Sequence, residues 1–296
     1  MLGVVNLDKP VGPTSHDMVG MMRRLTGTRR IGHAGTLDPL ASGVLPILVG
    51  AATRFSEELS GGSKRYDAVI RLGARSATDD AEGPIQPVGG PLPDEETVRI
   101  ALGSFIGTFD QLPPAFSARK VGGRIAHRAA RAGEPIDLPP RPVTVHALEL
   151  LAYARGDDVI DVRVDLRCGA GTYVRSLARD LGERLGCGGY LAALRRTEAA
   201  GLSVDTAVTP EHLEALTADG RLVDAVLPVG DLLPLPRVTL DRDAAQAFRH
   251  GSPRPLTGSP VEGRAAVFEG RDLIGIGSVS SNLLQPEKVL PREVIG

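Results

Sequence analysis

A chain of 296 residues, 42% of them apolar, can bury one large core and a smaller second one, so we expect two domains. The formal net charge of −2 gives no general affinity for nucleic acid, and no apolar run reaches the ~20 residues of a membrane span. The N-terminal MLGVVNLDKP lacks the pattern of a signal peptide. The two cysteines, Cys168 and Cys187, form no CxxC pair, which argues against a structural zinc site and is typical of the reducing cytoplasm.

The first part of the chain predicts apolar strands and short helices. GVVNLDKPVGPTS predicts a strand, a Pro/Gly turn and a helix N-cap at Thr14, Ser15 or Asp17, and the following helix is expected to end at Gly27. GVLPILVGAATRF predicts an apolar strand or turn and then a short helix. Alternating polar and apolar side chains in KRYDAVIRLG, residues 64–73, predict a half-buried strand.

Two segments in the middle of the chain differ in composition. Residues 76–93, SATDDAEGPIQPVGGPLP, are a loop by composition, and PDEETVRIALGSFIGTF predicts a helix with acids in its first turn. No acid occurs between Asp110 and Glu134, where we expect a mobile basic helical piece bracketed by Pro and Gly. Two basic clusters, each either a solvated face or an RNA contact, are Arg23, Arg24, Arg29 and Arg30, and then Arg119, Lys120, Arg124, Arg128 and Arg131.

The C-terminal part divides into two regions. VHALELLAYARGDDVIDVRVDLRCGAGTYVRSLARDLGERLG predicts two alternating strands and a helix from about Thr172. Near residue 230, LLPLPRV resembles a linker. The short strands predicted in GRAAVFEG and DLIGIGSV then indicate a small β-rich domain.

One carboxylate stands out once common catalytic motifs are checked. The sequence has no GxxxxGK[ST] phosphate loop, no HExxH metal motif and no GxSxG nucleophile elbow. Asp38, however, lies in the apolar, glycine-rich stretch GHAGTLDPLASGVLPI, residues 32–47. It is either a turn residue that caps the next segment or a catalytic acid in a pocket that excludes water.

A catalytic Asp38 in such a pocket would need a cation, because desolvation disfavours the charged form of a carboxyl group. An arginine suits this role, since guanidinium stays charged when buried and can bind a carboxylate through two N–H groups. Arg175 is a candidate near the start of a predicted helix, two residues after Tyr173. Tyr66 is the only aromatic residue of its predicted strand. These residues predict a buried Asp–Arg pair but name no substrate.

Four separated segments together resemble the TruB family of tRNA pseudouridine synthases. They are LDKPVGPTS (7–15), RIGHAGTLDPLASGVLPILVGAATR (30–54), KRYDAVIRLG (64–73) and GTYVRSLARDLGERLG (171–186), the last followed by YLAALRRTEAAG (190–201). The match spans roughly residues 3–205, in the family's order and spacing. The resemblance implies an isomerase that converts uridine to pseudouridine in the T-loop of tRNA, at position 55, with no cofactor and no metal.

The resemblance also implies roles at matching positions. Asp38 matches the nucleophile that breaks and remakes the glycosidic bond, and Arg175 matches the arginine that pairs with it. Tyr66 matches the tyrosine that stacks on the flipped uracil and offers a route for the C5 proton. The implied substrate-binding and supporting residues are His33, which would enter the T-loop as the base leaves, Tyr173, Leu194, Lys9 with Pro10 in a structural first motif, and the basic Arg119, Lys120, Arg124 and Arg128.

The implied fold is α+β: a pseudouridine synthase core with a mixed, largely antiparallel sheet flanked by helices, plus a small β-rich PUA-like RNA-binding domain. We expect the catalytic domain at residues 1–229, with an RNA-binding thumb inserted at about 115–140, and the PUA-like domain at 230–296. The expected partner is the T-arm of tRNA, and the absence of a surplus apolar stripe favours a monomer. The glycines and alanines of residues 32–47 are interpreted as room for RNA backbone.

Three residues depart from the family pattern. Phe116 and His127 stand where tyrosine is common, and Tyr190 stands where histidine is usual. We interpret all three as RNA-facing or supporting positions that affect the grip on tRNA. Two other functions stay open: a tRNA-folding chaperone in which catalysis is secondary, and, with less support, a metal-dependent hydrolase that uses His33 and Asp38.

Overall fold

The computed structural model describes residues 1–116, 120–121, 124–125, 129, 134, 136–256 and 261–291. The described α-helices are α1 (Ser15–Thr26), α2 (Ser56–Ser60), α3 (Glu95–Gly103), α4 (Val174–Arg184), α5 (Pro210–Ala218) and α6 (Arg242–Arg249), with short 3-10 helices at Gly50–Phe55, Val204–Thr206, Leu222–Ala225 and Val229–Asp231. The strands are β1 (Gly3–Lys9), β2 (Ile31–His33), β3 (Ala41–Val49), β4 (Lys64–Leu72), β5 (Ala74–Ser76), β6 (Ile85–Pro87), β7 (Gly107–Gln111), β8 (Lys120–Val121), β9 (Arg124–Ile125), β10 (Arg141–Arg155), β11 (Ile160–Cys168), β12 (Gly189–Ala199), β13 (Leu202–Ser203), β14 (Arg237–Leu240), β15 (Arg254–Pro255), β16 (Gly263–Glu269), β17 (Asp272–Ser280) and β18 (Leu283–Val289).

A nine-stranded sheet forms the centre of the molecule. Its order is β1-β3-β12-β4-β11-β10-β7, with β2 also paired to β3 and β13 to β12. All of these pairs are antiparallel except β3 with β12. Side chains alternate between buried and more exposed along β4, as a half-buried strand requires. The predicted α+β class with a mixed, largely antiparallel sheet is confirmed.

Helix α1 is capped by only one of the three candidate residues. The Thr14 hydroxyl accepts from the backbone N–H of Asp17, and the Asp17 carboxylate accepts from the backbone N–H of Thr14, which is a capping box. The helix ends at Gly27, whose φ of 67° favours glycine. Helix α4 begins at Val174 rather than at Thr172, because the residue between them is still extended.

Two segments differ from the predicted secondary structure. Within 76–93, which was predicted as loop, residues Ile85–Pro87 pair with Ala74–Ser76 as a short antiparallel sheet. In the expected basic helical piece, β8 and β9 instead form a two-stranded sheet. These pairings involve two or three residues a strand, too few for periodicity to reveal. Arg119, His127, Arg128 and the side chain of Lys120 lie outside the described residues.

The second sheet, ordered β14-β16-β17-β18-β15, packs directly on the first. Phe268 and Ile276 share one apolar cluster with Val44 and Leu48 of β3. The LLPLPRV segment, predicted as a linker, contributes the buried Leu233 to the same cluster. A domain boundary at residue 229 stays a prediction. Within the described ranges, no helix is both long and apolar enough to cross a membrane.

Candidate active site

Asp38 lies on the loop between β2 and β3, beside the first turn of α4. Its Oδ2 is 2.9 Å from Nε of Arg175. The side chain of Arg175 is 7% exposed, whereas that of Asp38 is 38% exposed. The expectation of a desolvated acid is therefore wrong. The arginine is the buried member of the pair, since α4 packs it inside while the loop leaves one side of the carboxylate open.

The Arg175 guanidinium bridges several groups besides Asp38. It donates to the carbonyls of Thr78 at 3.2 Å and Phe116 at 2.9 Å, and its Nε is 3.6 Å from Oδ2 of the buried Asp80. Within the described ranges its Nε–H has no aligned hydrogen-bond acceptor, so the contact with Asp38 is an ion pair without a linear hydrogen bond. Asp80 thus shares the charge of Arg175 with Asp38.

Asp80 was not among the predicted site residues. Its carboxylate accepts from the Thr78 hydroxyl and from the backbone N–H of Glu82, which holds it in place. The preceding Asp79 has a positive φ of 62° and accepts with its carbonyl from the N–H of Leu191. The only sequence signal for Asp80 was the pair of adjacent acids in TDDAEG. Because the composition of this segment predicts a loop, the pair did not indicate a site.

Tyr66 and Leu194 lie on neighbouring strands near the Asp38 loop. Leu194 of β12 is opposite Ala68 of β4 on one side and Ala41 of β3 on the other. Tyr66 is opposite Arg196, and residues two apart on a strand share a face, so Tyr66, Leu194 and Arg196 lie on one face of the sheet. Burial raises the pKa of Tyr66, and the Arg196 guanidinium partly opposes that rise.

The loop that bears Asp38 is held from α1. The Ser15 hydroxyl donates to the Leu37 carbonyl at 2.9 Å and accepts from the Leu37 N–H at 2.8 Å. The N–H of Gly12 donates to the Pro39 carbonyl at 2.8 Å. The residues on both sides of Asp38 are therefore tied to the segment that begins α1.

Lys9 is fully buried at the end of β1. Its Nζ donates to the carbonyls of Pro10 and Pro13, each at 2.8 Å. Burial lowers the pKa of Lys9 to about 8, against the opposing charges of Asp38 and Glu82. These contacts close the turn before α1, in keeping with the structural role implied by the resemblance.

His33 and Tyr173 lie on different elements. His33 ends β2, and its Nδ1 is buried without a hydrogen-bond partner in the part of the chain that the structure describes. Burial lowers the pKa of His33, as do the charges of Arg196 and His16. Tyr173 precedes α4, and its backbone N–H and carbonyl bond to the side chain of Gln111.

Several of the small residues around Asp38 make room for protein. A Cβ on Gly43 would overlap the backbone of Arg196, and Gly43 has a φ of 99°. Ala34 and Ala41 are buried in the core. The interpretation as space for RNA backbone is therefore wrong for Gly43, Ala34 and Ala41. At Gly32 and Gly35 a Cβ would meet no atom closer than 3.4 Å, and there it stays a prediction.

The remaining predicted positions are less connected to Asp38. Arg124 is exposed and pairs with Glu134 at 2.7 Å. Tyr190 is buried opposite Arg71 of β4, so of the two interpretations, an RNA-facing or a supporting position, the structure contradicts only the RNA-facing one. Phe116 contacts the site through its carbonyl, which accepts from Arg175. Across the described ranges, no group of three His, Cys, Asp or Glu side chains could hold a metal ion.

Three family models together match most of the chain. Residues 23–174 match the N-terminal domain of the TruB family pseudouridylate synthases, residues 175–234 the C-terminal domain of tRNA pseudouridylate synthase B, and residues 236–290 the C-terminal model of pseudouridine synthase II TruB. Fold and matches together define a pseudouridine synthase, which is an isomerase. The chain belongs to the TruB family.

Whole-length relatives agree with this assignment. The chain is 41% identical over 295 residues to a tRNA pseudouridine synthase B of Ralstonia nicotianae, covering 97% of this chain and 94% of the relative. It is 42% identical over 297 residues to that of Burkholderia mallei, covering 97% and 96%.

Solved structures confirm the predicted pseudouridine synthase core. A chain in the crystal structure of a Cbf5-Nop10-Gar1 complex matches with a TM-score of 0.74 and 28% identity, covering 98% of this chain and 86% of that one. A chain in the structure of an H/ACA RNP bound to a substrate RNA containing 2'-deoxyuridine matches with a TM-score of 0.73 and 26% identity, covering 99% and 87%.

Proposed function

We propose that this chain converts uridine 55 in the T-loop of tRNA to pseudouridine, as a cytoplasmic monomer that flips the base and uses Asp38 as nucleophile. The names of the relatives, tRNA pseudouridine synthase B, support a tRNA uridine as substrate. The observation that carries the proposal is the Asp38–Arg175 ion pair, with the carboxylate open on one side. That opening lets a ribose approach an acid whose position is set by a buried cation.

The reaction is an isomerisation, so atoms and charge must balance within the nucleotide. The C1′–N1 bond breaks, the uracil rotates and a C1′–C5 bond forms. C5 then loses its proton and N1 gains one. The bond that Asp38 forms to the nucleotide breaks again before the product leaves, so its carboxylate is regenerated, and the ion pair with Arg175 orients that carboxylate. Tyr66, on the same face as Leu194, is the group that we assign to stack on the uracil and to offer a route along which the C5 proton leaves.

Extrusion of the target base from the T-loop costs a few kcal/mol of stacking and pairing. We assign His33 to the space that the base leaves, Leu194 to the wall of the uracil pocket, and Tyr173 to substrate binding as a second tyrosine of the site. The basic segment with Arg119, Lys120, Arg124 and Arg128 would then hold T-arm phosphates, which position the RNA without reading its bases.

Asp38→Asn tests the proposal on a T-arm minihelix. We expect no pseudouridine by sequencing-based mapping and no tritium release from C5-labelled uridine, with RNA affinity within about tenfold, or ~1.4 kcal/mol, of wild type. The matched control is Asp67→Asn on β4, whose carboxylate pairs with Arg163 and which we expect to be fully active. Full activity of Asp38→Asn would refute the nucleophile. Rescue of a knockout's growth by Asp38→Asn would favour the chaperone function.

A further inference from the structure

Arg196 is a buried guanidinium to which the proposed chemistry gives no role. The residue is 1% exposed. Among the residues that the structure describes, no carboxylate lies within ion-pair distance of it, and its charge interacts chiefly with Tyr66. Burying a charge without an opposite charge is costly unless hydrogen bonds compensate for the lost water. The hydrogen bonds of Arg196 must therefore compensate for the water that its guanidinium has lost.

The first set of contacts is with the loop that carries Asp38. Nε of Arg196 donates to the Val44 carbonyl at 2.7 Å, and Nη2 donates to the Gly35 carbonyl at 3.0 Å. Nη1 reaches the Thr36 carbonyl at 3.4 Å. These carbonyls precede and follow Asp38, so they hold the guanidinium at the base of the Asp38 loop.

The second contact is with Tyr66, directly opposite Arg196 in the β12–β4 register. The guanidinium charge acts chiefly on the Tyr66 phenol, and opposite positions in this register bring the two polar ends within reach of a hydrogen bond. Arginine has five N–H donors and no acceptor, so the phenol oxygen must be the acceptor in this bond. The hydroxyl proton of Tyr66 is then free to point away from Arg196.

We propose that Arg196 is a positioning residue, which is held by the carbonyls of residues 35, 36 and 44 and orients the Tyr66 hydroxyl for reaction by donating to its oxygen. The proposal rests on the proposed function, in which Tyr66 contacts the substrate. The positive charge also makes Tyr66 a stronger acid than burial alone would allow, which suits a group that exchanges a proton.

A matched control lies farther along the same two strands. Arg71 of β4 is opposite Tyr190 of β12, the same pairing with the strands exchanged. Arg71 differs because it has a carboxylate partner, Asp161, at 2.6 Å. Substitution of Arg71 should therefore leave both Tyr66 and the reaction unchanged.

Raman spectroscopy tests the hydrogen bond directly. The chain has four tyrosines and no tryptophan, and the intensity ratio of the tyrosine Fermi doublet shows whether a phenol oxygen accepts or donates. The difference between wild type and Tyr66→Phe isolates Tyr66, and we expect an acceptor signature. In Arg196→Met this signature should be lost, whereas Arg71→Lys should preserve it. A donor signature for Tyr66 in the wild-type protein would overturn the proposal even if no Arg196 variant folded.

Single-turnover kinetics on the T-arm minihelix test the consequence. Arg196→Lys keeps a cation but not the guanidinium geometry, and we expect its rate to fall about tenfold with RNA affinity unchanged. In a Tyr66→Phe background the same substitution should cost less than about twofold, because the two residues act as a unit. Equal losses in both backgrounds would overturn the proposal.

The outcomes separate this proposal from the proposed function. If Arg196→Lys lowers the rate equally in the wild-type and Tyr66→Phe backgrounds while Asp38→Asn is inactive, the role of Arg196 is refuted and Asp38 remains the proposed nucleophile. Full activity of Asp38→Asn refutes the proposed function, while the Raman signature still decides whether Arg196 donates to Tyr66.

Discussion

At the scale of single residues, the site buries its cations more deeply than its proposed nucleophile. Lys9, Arg175 and Arg196 are buried, whereas Asp38 is partly exposed. The buried Asp80 offsets only part of this charge. With Asp38 and the nearby Glu82 included, three carboxylates face these three cations, so the charges of the site nearly balance.

Lys9 makes the free energy of unfolding depend measurably on pH. Burial lowers its pKa to about 8, below the unfolded value of 10.5, so the unfolded chain binds more protons between these values and stability rises with pH. We expect wild type to gain roughly 2 kcal/mol of unfolding free energy relative to Lys9→Met between about pH 7.5 and about pH 9.5. Urea unfolding followed by circular dichroism measures this difference. Parallel pH curves for the two proteins would contradict a buried, titrating Lys9.

At the scale of elements, the Asp38 loop is positioned from two sides. The start of α1 contributes Ser15, which satisfies both backbone groups of Leu37, and β12 contributes Arg196. Neither Ser15 nor Arg196 contacts the substrate in the proposed mechanism. Both instead fix where the β2–β3 loop places its carboxylate, and rate depends strongly on such placement.

Ser15→Ala tests the α1 side of this support. It leaves a buried N–H and a buried carbonyl of Leu37 without partners, at a cost of about 1–3 kcal/mol, and the loop should shift to relieve this. We expect about a tenfold lower single-turnover rate with unchanged RNA affinity. The control Thr14→Ala removes the cap of α1, which costs about 1 kcal/mol of stability, and should leave the rate unchanged. Equal rates for the two variants would show that the α1 contact does not position Asp38.

Contacts between elements also decide how much of the site could be predicted from the sequence. Pairing of Asp38 with Arg175 could be predicted because an acid in an apolar stretch requires a cation. The contact of Arg196 with the Asp38 loop could not, because it depends on β12 lying between β3 and β4, and local patterns do not encode strand order. The predicted burial of Asp38 was wrong for a related reason. An apolar stretch can bury its strand and still leave the adjoining loop exposed to solvent.

At the scale of the whole molecule, the C-terminal sheet is anchored on the catalytic core. Glu58 of α2 is 3% exposed, and its carboxylate accepts from Lys288 at 2.8 Å and from Arg264 at 2.7 Å, both in the second sheet. Burial alone would raise the pKa of Glu58, but these hydrogen bonds hold it below its usual value. Because β3 contributes to the same interface through Val44 and Leu48, the strand that follows the Asp38 loop depends on this packing.

Glu58→Gln should therefore destabilise the molecule as a unit. The variant leaves two cations at the interface without their carboxylate, and we expect the free energy of unfolding to fall by about 2 kcal/mol in a single transition. Glu57→Gln is the matched control. Glu57 also faces Lys288, at 3.7 Å, but its side chain is 89% exposed, so this substitution should change the free energy of unfolding by less than about 0.5 kcal/mol. Urea unfolding, followed by circular dichroism and by tyrosine fluorescence, measures both variants. If Glu58→Gln unfolds like Glu57→Gln, or if the two probes separate in wild type, the second sheet is an independent module, and the support it gives to β3 is refuted.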